Sequence, residues 1–146
     1  MTGDSQFCTF YLEGLYFGIE VTRVQEVIRY QEMTPVPLAP GVIAGLINLR
    51  GQIVTAIDLR RRLELTPRAP AQLPTNVVVR SEDGTVSLLV DEIGDVLEVP
   101  GDAFEQVPET LSGVARSLIL GAYKLPGRLL LVLDTDKAVS VNAHAG

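Results

Sequence analysis

The chain is a succession of short apolar runs, separated by glycine, proline and aspartate. The runs are four to nine residues long and rich in valine, isoleucine and leucine, which is typical of strands rather than helices. Four of the breaks have the dipeptide form of a hairpin turn: Glu13-Gly14, Arg50-Gly51, Asp83-Gly84 and Pro126-Gly127. The pattern predicts a mainly β and mostly antiparallel protein.

Helical spacing is confined to three short segments. In "VTRVQEV", which starts at Val21, valines three apart favour a short helix or turn. The segment "DLRRRLEL" begins at a potential N-cap, Asp58, and has Leu59 and Leu63 four apart as its apolar anchors. The segment "DTDKAVSV" repeats this arrangement from Asp134. We expect the three arginines of the second segment to form its solvent-exposed face.

An internal repeat indicates two similar halves. "GLINLRGQIVTAIDLRRRL" from Gly45 aligns without gaps with "GAYKLPGRLLLVLDTDKAV" from Gly121, at a constant offset of 76 positions. A weaker match relates "EGLYFGIEVTRVQEVI" to "DGTVSLLVDEIGDVLEV". The proline-rich segment 66–75 cannot be a central strand, and we interpret it as a linker. The repeat predicts two small β-barrels, one over residues 6–65 and one over 76–133; whether the C-terminal segment returns to the first barrel is left open.

Composition narrows the class of protein. The 146 residues fit one domain, and an apolar content of 47% argues against disorder. A net charge of −6 gives no support to nucleic-acid binding. The single cysteine, the absence of an apolar run of 18 residues and an N-terminus unlike a signal peptide predict a cytoplasmic protein with no direct membrane insertion.

The residues needed for catalysis are scarce. His144, the only histidine, is two residues from the chain end, and Cys8 lies in an apolar run and is interpreted as a small core residue. There is no cluster of histidine and cysteine and no glycine-rich phosphate loop, so we expect no metal and no cofactor. Asp91, Glu92 and Asp95 could bind a hard cation, anchor a small molecule or share a proton, but a solvated turn is favoured. The sequence therefore favours a binding module over an enzyme.

Five motifs carry a resemblance to a known family. They are V-x-E-V at 24–27, T-P-V-P at 34–37, G-L-I-N-L-R-G at 45–51, I-D-L-R at 57–60 and "LLVDEIGDVLEV" at 88–99. Together they resemble the CheW family of chemotaxis coupling proteins over nearly the whole chain. The resemblance implies a single CheW-like domain over residues 1–146, built from two five-stranded SH3-like β-barrels. It also implies a non-catalytic adaptor that couples chemoreceptors to the histidine kinase CheA in membrane-associated arrays.

The resemblance also implies which residues contact partners. Glu26 and Arg50 match the family's receptor-contacting glutamate and arginine. The repeat supports a separate role for Arg50, because Pro126 takes its place in the second half: Pro-Gly is typical of a type II turn that needs only the glycine, so we expect Gly51 to suffice. The remaining candidates are Val24, Val27, Ile28 and Asn48 for the receptor tip, and Gly45, Leu97 and Val99 for the regulatory domain of the kinase. Neither the receptor nor the output pathway follows from the sequence.

Overall fold

The structure is a computed structural model that describes residues 5–82, 84–109, 111 and 113–140. In these residues, eleven strands and three short helices follow one another along the chain. The strands are β1 (Ser5–Leu12), β2 (Leu15–Glu20), β3 (Val24–Ile28), β4 (Ile43–Leu49), β5 (Gln52–Asp58), β6 (Thr75–Ser81), β7 (Gly84–Val90), β8 (Glu92–Val99), β9 (Phe104–Glu105), β10 (Ile119–Leu125) and β11 (Arg128–Leu133). The helices are α1 (Leu59–Arg62), α2 (Gly113–Ser117) and α3 (Thr135–Val139). The predicted mainly β class is confirmed.

The strands form two sheets with the same internal order. One sheet runs β3-β6-β7-β5-β4, and the other runs β8-β1-β2-β11-β10 with β9 added at its end. In each sheet a central hairpin lies between a single edge strand and a second hairpin. Each sheet contains one parallel pair, β5 with β7 and β11 with β2, and the other neighbours are antiparallel. The internal repeat read from the sequence therefore corresponds to a repeat of strand order.

The division between the sheets differs from the one expected at residues 66–75. The hairpin β1–β2 lies in the sheet of β8–β11, and the hairpin β6–β7 lies in the sheet of β3–β5. Each sheet therefore contains one hairpin from the other half of the chain. The proline-rich segment 66–75 therefore connects α1 to β6, which lies in the sheet of β3–β5. Apolar periodicity identifies strands and turns, but the two hairpins have similar patterns, so it does not say which sheet each one completes.

The segment "VTRVQEV" is not a helix. It forms a 3₁₀ turn at Val21–Arg23 and then enters β3, where Val24 lies opposite Val79 and Val27 opposite Val77. Pairing of β-branched side chains across the strands outweighs the three-residue spacing. The other two predicted helices are confirmed as α1 and α3: Asp58 accepts a hydrogen bond from the Arg60 amide at 3.1 Å, and Asp134 accepts one from the Lys137 amide at 3.2 Å.

The largest apolar cluster draws side chains from both sheets and from α1 and α3. Leu59 and Leu63 are fully buried in it, as predicted, together with Phe10, Ile57 and Leu131. Each sheet also has a smaller cluster of its own. These are Phe7, Tyr16, Val99, Tyr123, Leu130 and Val132 in the six-stranded sheet, and Ile47, Leu49, Val54, Ala56, Val78 and Leu89 in the five-stranded sheet.

The three arginines of α1 do not form a solvated face. Arg60 is buried, and its guanidinium contacts Asp91 with a shortest N–O distance of 2.5 Å. Arg62 donates hydrogen bonds to the carbonyls of Ala138 and Lys137 in α3. Only Arg61 has a half-exposed side chain. The prediction was wrong because the helix is a single turn between the two sheets, so it has no broad outer face.

Candidate partner-binding site

An exposed ion pair links the edge strand β3 to the tip of the β4–β5 hairpin. The Arg50 guanidinium donates a hydrogen bond from Nη2 to Oε2 of Glu26, 24 residues earlier in the chain. The Arg50 side chain is 69% exposed, and that of Glu26 is 23% exposed. The structure therefore brings together the two residues that the sequence analysis singled out first, and leaves the guanidinium accessible to a partner.

Both groups of this pair are held in their charged forms. The hydrogen bond from Arg50 lowers the pKa of Glu26, and partial desolvation opposes this shift without reversing it. The same hydrogen bond raises the pKa of Arg50. At neutral pH the site is therefore a fixed pair of opposite charges with one exposed member.

The turn that carries Arg50 differs from the expected one. Arg50 and Gly51 both have positive φ, 52° and 91°, which is typical of a type I′ turn and not of type II. The Asn48 side chain supports the turn, because its Oδ1 accepts a hydrogen bond from the Gly51 amide at 2.8 Å. Pro126 cannot adopt a positive φ, so the second hairpin requires another turn, with the positive φ of 77° at Gly127. The two tips match in sequence position but not in backbone conformation.

Of the three apolar candidates on β3, only Val27 is exposed. Its side chain is 42% accessible, while Val24 packs against the main cluster and Ile28 against the small cluster of the five-stranded sheet. A bulge between Val24 and Glu26 sets this arrangement. Glu26 and Ile28 lie opposite Val78 and Asn76, on the face away from Val27.

Ile53 is an exposed apolar residue that the sequence analysis missed. It pairs with Asn48 across the β4–β5 hairpin, two residues beyond the turn, and its side chain is 60% accessible. Strand alternation could have indicated it: Val54 is buried, so its neighbour must face the opposite side of the sheet.

The three residues suggested for the kinase contact have packing roles. Gly45 is buried in β4, where a Cβ would lie 2.8 Å from the Thr34 carbonyl oxygen. Val99 is buried in the cluster of the six-stranded sheet, and Leu97 packs against that cluster. Gly45 and Val99 are buried and Leu97 is partly buried, and the kinase contact of these residues stays a prediction. The exposed apolar residues of β8 are Ile93 and Val96.

Asp91 is not part of a solvated turn. It accepts hydrogen bonds from Arg60, from Arg68 and, at 2.8 Å, from the Glu13 amide. Burial raises the pKa of Asp91, but these donors outweigh burial and hold its pKa below the usual range. Two arginines and an amide occupy its oxygens, which disfavours the alternatives of a cation ligand, a ligand anchor or an acid–base pair with Asp95.

The other residues considered for metal binding or catalysis do not form a site either, as far as the structure describes them. In the part of the chain that the structure describes, no group of three or more histidine, cysteine, aspartate or glutamate side chains could hold a metal ion. Cys8 is half-buried in β1, and burial raises the pKa of its thiol. His144 lies outside the described residues.

Comparison with known proteins agrees with the resemblance. A family model described as a CheW-like domain matches residues 6–142. The chain belongs to the CheW-like domain family. The chemotaxis protein CheW of Bacillus subtilis is 32% identical over 135 residues, which cover 92% of this chain and 86% of that protein. The chemotaxis protein CheW of Treponema pallidum is 29% identical over 143 residues, or 94% and 84% of the two chains.

A solved structure supports the fold. The scaffolding protein TtCheW from Thermoanaerobacter tengcongensis superposes with a TM-score of 0.85 at 24% identity, covering 96% of this chain and 95% of that one. The likeness to TtCheW shows the fold. Membership of the CheW-like domain family confirms the prediction that the protein is not an enzyme. No helix in the described ranges is long and apolar enough to cross a membrane.

Proposed function

We propose that the protein couples chemoreceptors to a CheA-type histidine kinase, with the receptor tip contacting the surface around Arg50, Glu26 and Val27. This region, which we call the β3 site, has the exposed guanidinium of Arg50 on the face of Glu26 and the exposed side chain of Val27 on the opposite face of the same edge strand. The coupling would take place in the cytoplasm, at membrane-associated receptor arrays. Family membership supports the scaffold role, and the geometry of the β3 site supports the choice of surface.

The observation that carries the choice is the Arg50–Glu26 pair itself. Arg50 occupies a left-handed backbone position that disfavours residues with a Cβ, and the matching position in the other half is a proline. Nothing in the turn requires the arginine side chain, which extends across to β3. A charged group kept at an unfavourable turn position and left largely exposed is typical of a binding residue.

We further propose that each sheet curves into an SH3-like barrel. After β3 the chain crosses to the opposite edge of its sheet, where Thr34 and Leu46 exchange two backbone hydrogen bonds of 2.8 Å. After β8 the chain does the same through β9, which pairs with β10. In both sheets a continuation of one edge strand thus reaches the other edge strand.

The test is a binding assay with two immobilised partners, a receptor cytoplasmic fragment and the regulatory domain of the kinase. We expect the protein to bind both, and Arg50→Ala to weaken receptor binding by about tenfold or more, as is usual for a central charged contact. Binding to the kinase domain should be unchanged, because the proposed receptor surface is separate. Failure to bind either partner would remove the proposed function.

Arg61→Ala is the matched control. Arg61 is also an exposed arginine, and among the residues that the structure describes it pairs only with Asp58, at 3.7 Å. If Arg61→Ala weakens receptor binding as much as Arg50→Ala, the effect reflects overall charge, and the β3 site is not the contact.

A further inference from the structure

The strand β8 matches β3 position by position. The central hairpins β1–β2 and β6–β7 both close on two-residue turns, which aligns β1 with β6. The edge strands that pair with them, β8 with β1 and β3 with β6, then align as well, and each has a bulge at the same place. The resulting equivalences are Val24 with Ile93, Glu26 with Asp95, Val27 with Val96, Ile28 with Leu97 and Arg29 with Glu98.

The equivalent residues are exposed in the same pattern. Val96 is 59% accessible on β8, as Val27 is on β3, and Leu97 points into the sheet's own cluster, as Ile28 does. Ile93 adds a second accessible apolar side chain, 36% exposed. β8 is an edge strand, and among the residues described it pairs only with β1, so its other side has unpaired backbone groups.

The charge of the two surfaces differs. Around Val27 the charged residues are Glu26, Arg29 and Arg50. Around Val96 the exposed charged residues of the strand are Glu92, Asp95 and Glu98, and the hairpin tip that would match Arg50 carries Pro126. None of these three carboxylates forms an ion pair within the described ranges. The β8 edge is therefore an apolar ridge with uncompensated negative charge.

We propose that the β8 edge is a second docking surface, which binds an extended protein segment carrying alternating apolar and basic side chains. Apolar side chains of the segment would cover Ile93 and Val96, its lysines or arginines would face Glu92 and Asp95 on the opposite face of the strand, and its backbone would pair with the open side of β8. This inference does not depend on the proposed coupling function, since it concerns another strand and has its own binding test.

The test uses three labelled peptides of nine residues and the full-length protein. The first peptide alternates valine with lysine, the second alternates valine with glutamate, and the third is the lysine peptide with two central valines replaced by proline. We expect the lysine peptide to bind at least about tenfold more tightly than the glutamate peptide, measured by fluorescence anisotropy, because like charges would meet in the second case. The proline peptide should bind as weakly as the glutamate peptide, since proline cannot donate to a strand ladder.

Two substitutions locate the binding. Val96→Thr keeps a β-branched residue at an exposed position. It should weaken binding of the lysine peptide about 3–5-fold without changing the Tm of the protein. Asp95→Lys should weaken binding of the lysine peptide about 5-fold or more, with Glu109→Lys as the charge-matched control that leaves binding unchanged. Val27→Thr should also leave peptide binding unchanged, because it lies on β3.

Three results would overturn the proposal. Equal affinity for the lysine and glutamate peptides would show that the carboxylates of β8 do not select basic side chains. No binding of the lysine peptide would remove the second docking surface, and self-association of Asp95→Lys in that case would show that the carboxylates only prevent strand pairing at this edge. Self-association of the unmodified protein that Val96→Thr abolishes would make a second copy the occupant.

Discussion

Arg50 has a backbone and a side chain with opposite consequences for stability. A residue with a Cβ in the left-handed region costs about 1–2 kcal/mol relative to the right-handed one. Its side chain forms an ion pair that is largely exposed, and such pairs add little to folding. Stability alone therefore does not explain an arginine at this position, whereas the proposed contact with a receptor does.

Replacement of Arg50 by asparagine separates the two roles. Asn-Gly is the most favourable sequence for the type I′ turn, so Arg50→Asn should keep or raise Tm in thermal unfolding. The same substitution removes the guanidinium, and receptor binding should fall as it does in Arg50→Ala. A clear loss of Tm would show that the ion pair with Glu26 holds β3 in place and that Arg50 is a structural residue.

At the scale of elements, the two halves of the repeat both have a glycine, Gly45 in β4 and Gly121 in β10, at the point where another segment of the chain lies against the strand. Residues 33–34 cross β4 at Gly45, where a Cβ would be 2.8 Å from the Thr34 carbonyl oxygen and 2.9 Å from Cβ of Met33. β9 crosses β10 at Gly121, where a Cβ would be 2.7 Å from the Glu105 carbonyl oxygen. The aligned glycines are thus explained by the close approach of two backbones in each sheet.

Substitution of Gly45 by alanine should therefore act on stability. The added methyl group must displace backbone that is hydrogen-bonded to Leu46, and overpacking of this kind costs about 1–3 kcal/mol in the free energy of unfolding. Gly41→Ala is the matched control, since a Cβ there meets nothing within 4 Å. Equal stability of the two variants in urea unfolding would contradict a close approach of residues 33–34 to Gly45. If Gly45→Ala has normal stability but loses binding to the kinase domain, Gly45 is a contact residue.

Most strands, the positions of the hairpin turns and the helix caps were predictable because they depend on neighbours in sequence, whereas the type of turn at Arg50 and the strand β3 were not. The apolar runs, Gly51 with its positive φ and the caps at Asp58 and Asp134 are all local. The sharing of hairpins between sheets was not predictable, because the two hairpins have similar patterns. The Arg50–Glu26 pair could be proposed from the family resemblance, but the burial of Val24, Ile28 and Val99 depends on which sheet covers each strand.

At the scale of the whole molecule, two ion pairs join the halves of the chain with opposite polarity. Arg60, the second residue of α1, pairs with Asp91, which directly precedes β8. Asp136, the second residue of α3, pairs with Arg23, which directly precedes β3, at 2.5 Å. Arg60 and Asp136 match through the repeat, and Arg23 and Asp91 each directly precede an edge strand, but acid and base are exchanged. In both pairs the arginine belongs to the first half of the chain and the aspartate to the second. Two copies of the first half would instead place Arg60 beside Arg23, and two copies of the second half would place Asp136 beside Asp91. The ion pairs therefore favour contact between a first half and a second half.

The Asp91 pair is the buried one of the two, and it should control acid stability. Its folded pKa is below the unfolded value, so its contribution is complete above about pH 4, the usual pKa of an aspartate, and is lost as pH falls through the folded pKa. Asp91→Asn leaves Arg60 buried without its carboxylate and Arg68 with only Asp58, at 3.5 Å, and should cost about 3 kcal/mol in the free energy of unfolding at pH 7. The variant should also lose less additional stability than the unmodified protein between pH 4 and pH 2, as measured by urea unfolding at each pH. Asp95→Asn, at an exposed position of β8, is the control, and equal losses in both variants at pH 7 would show that the Asp91 pair does not join the halves.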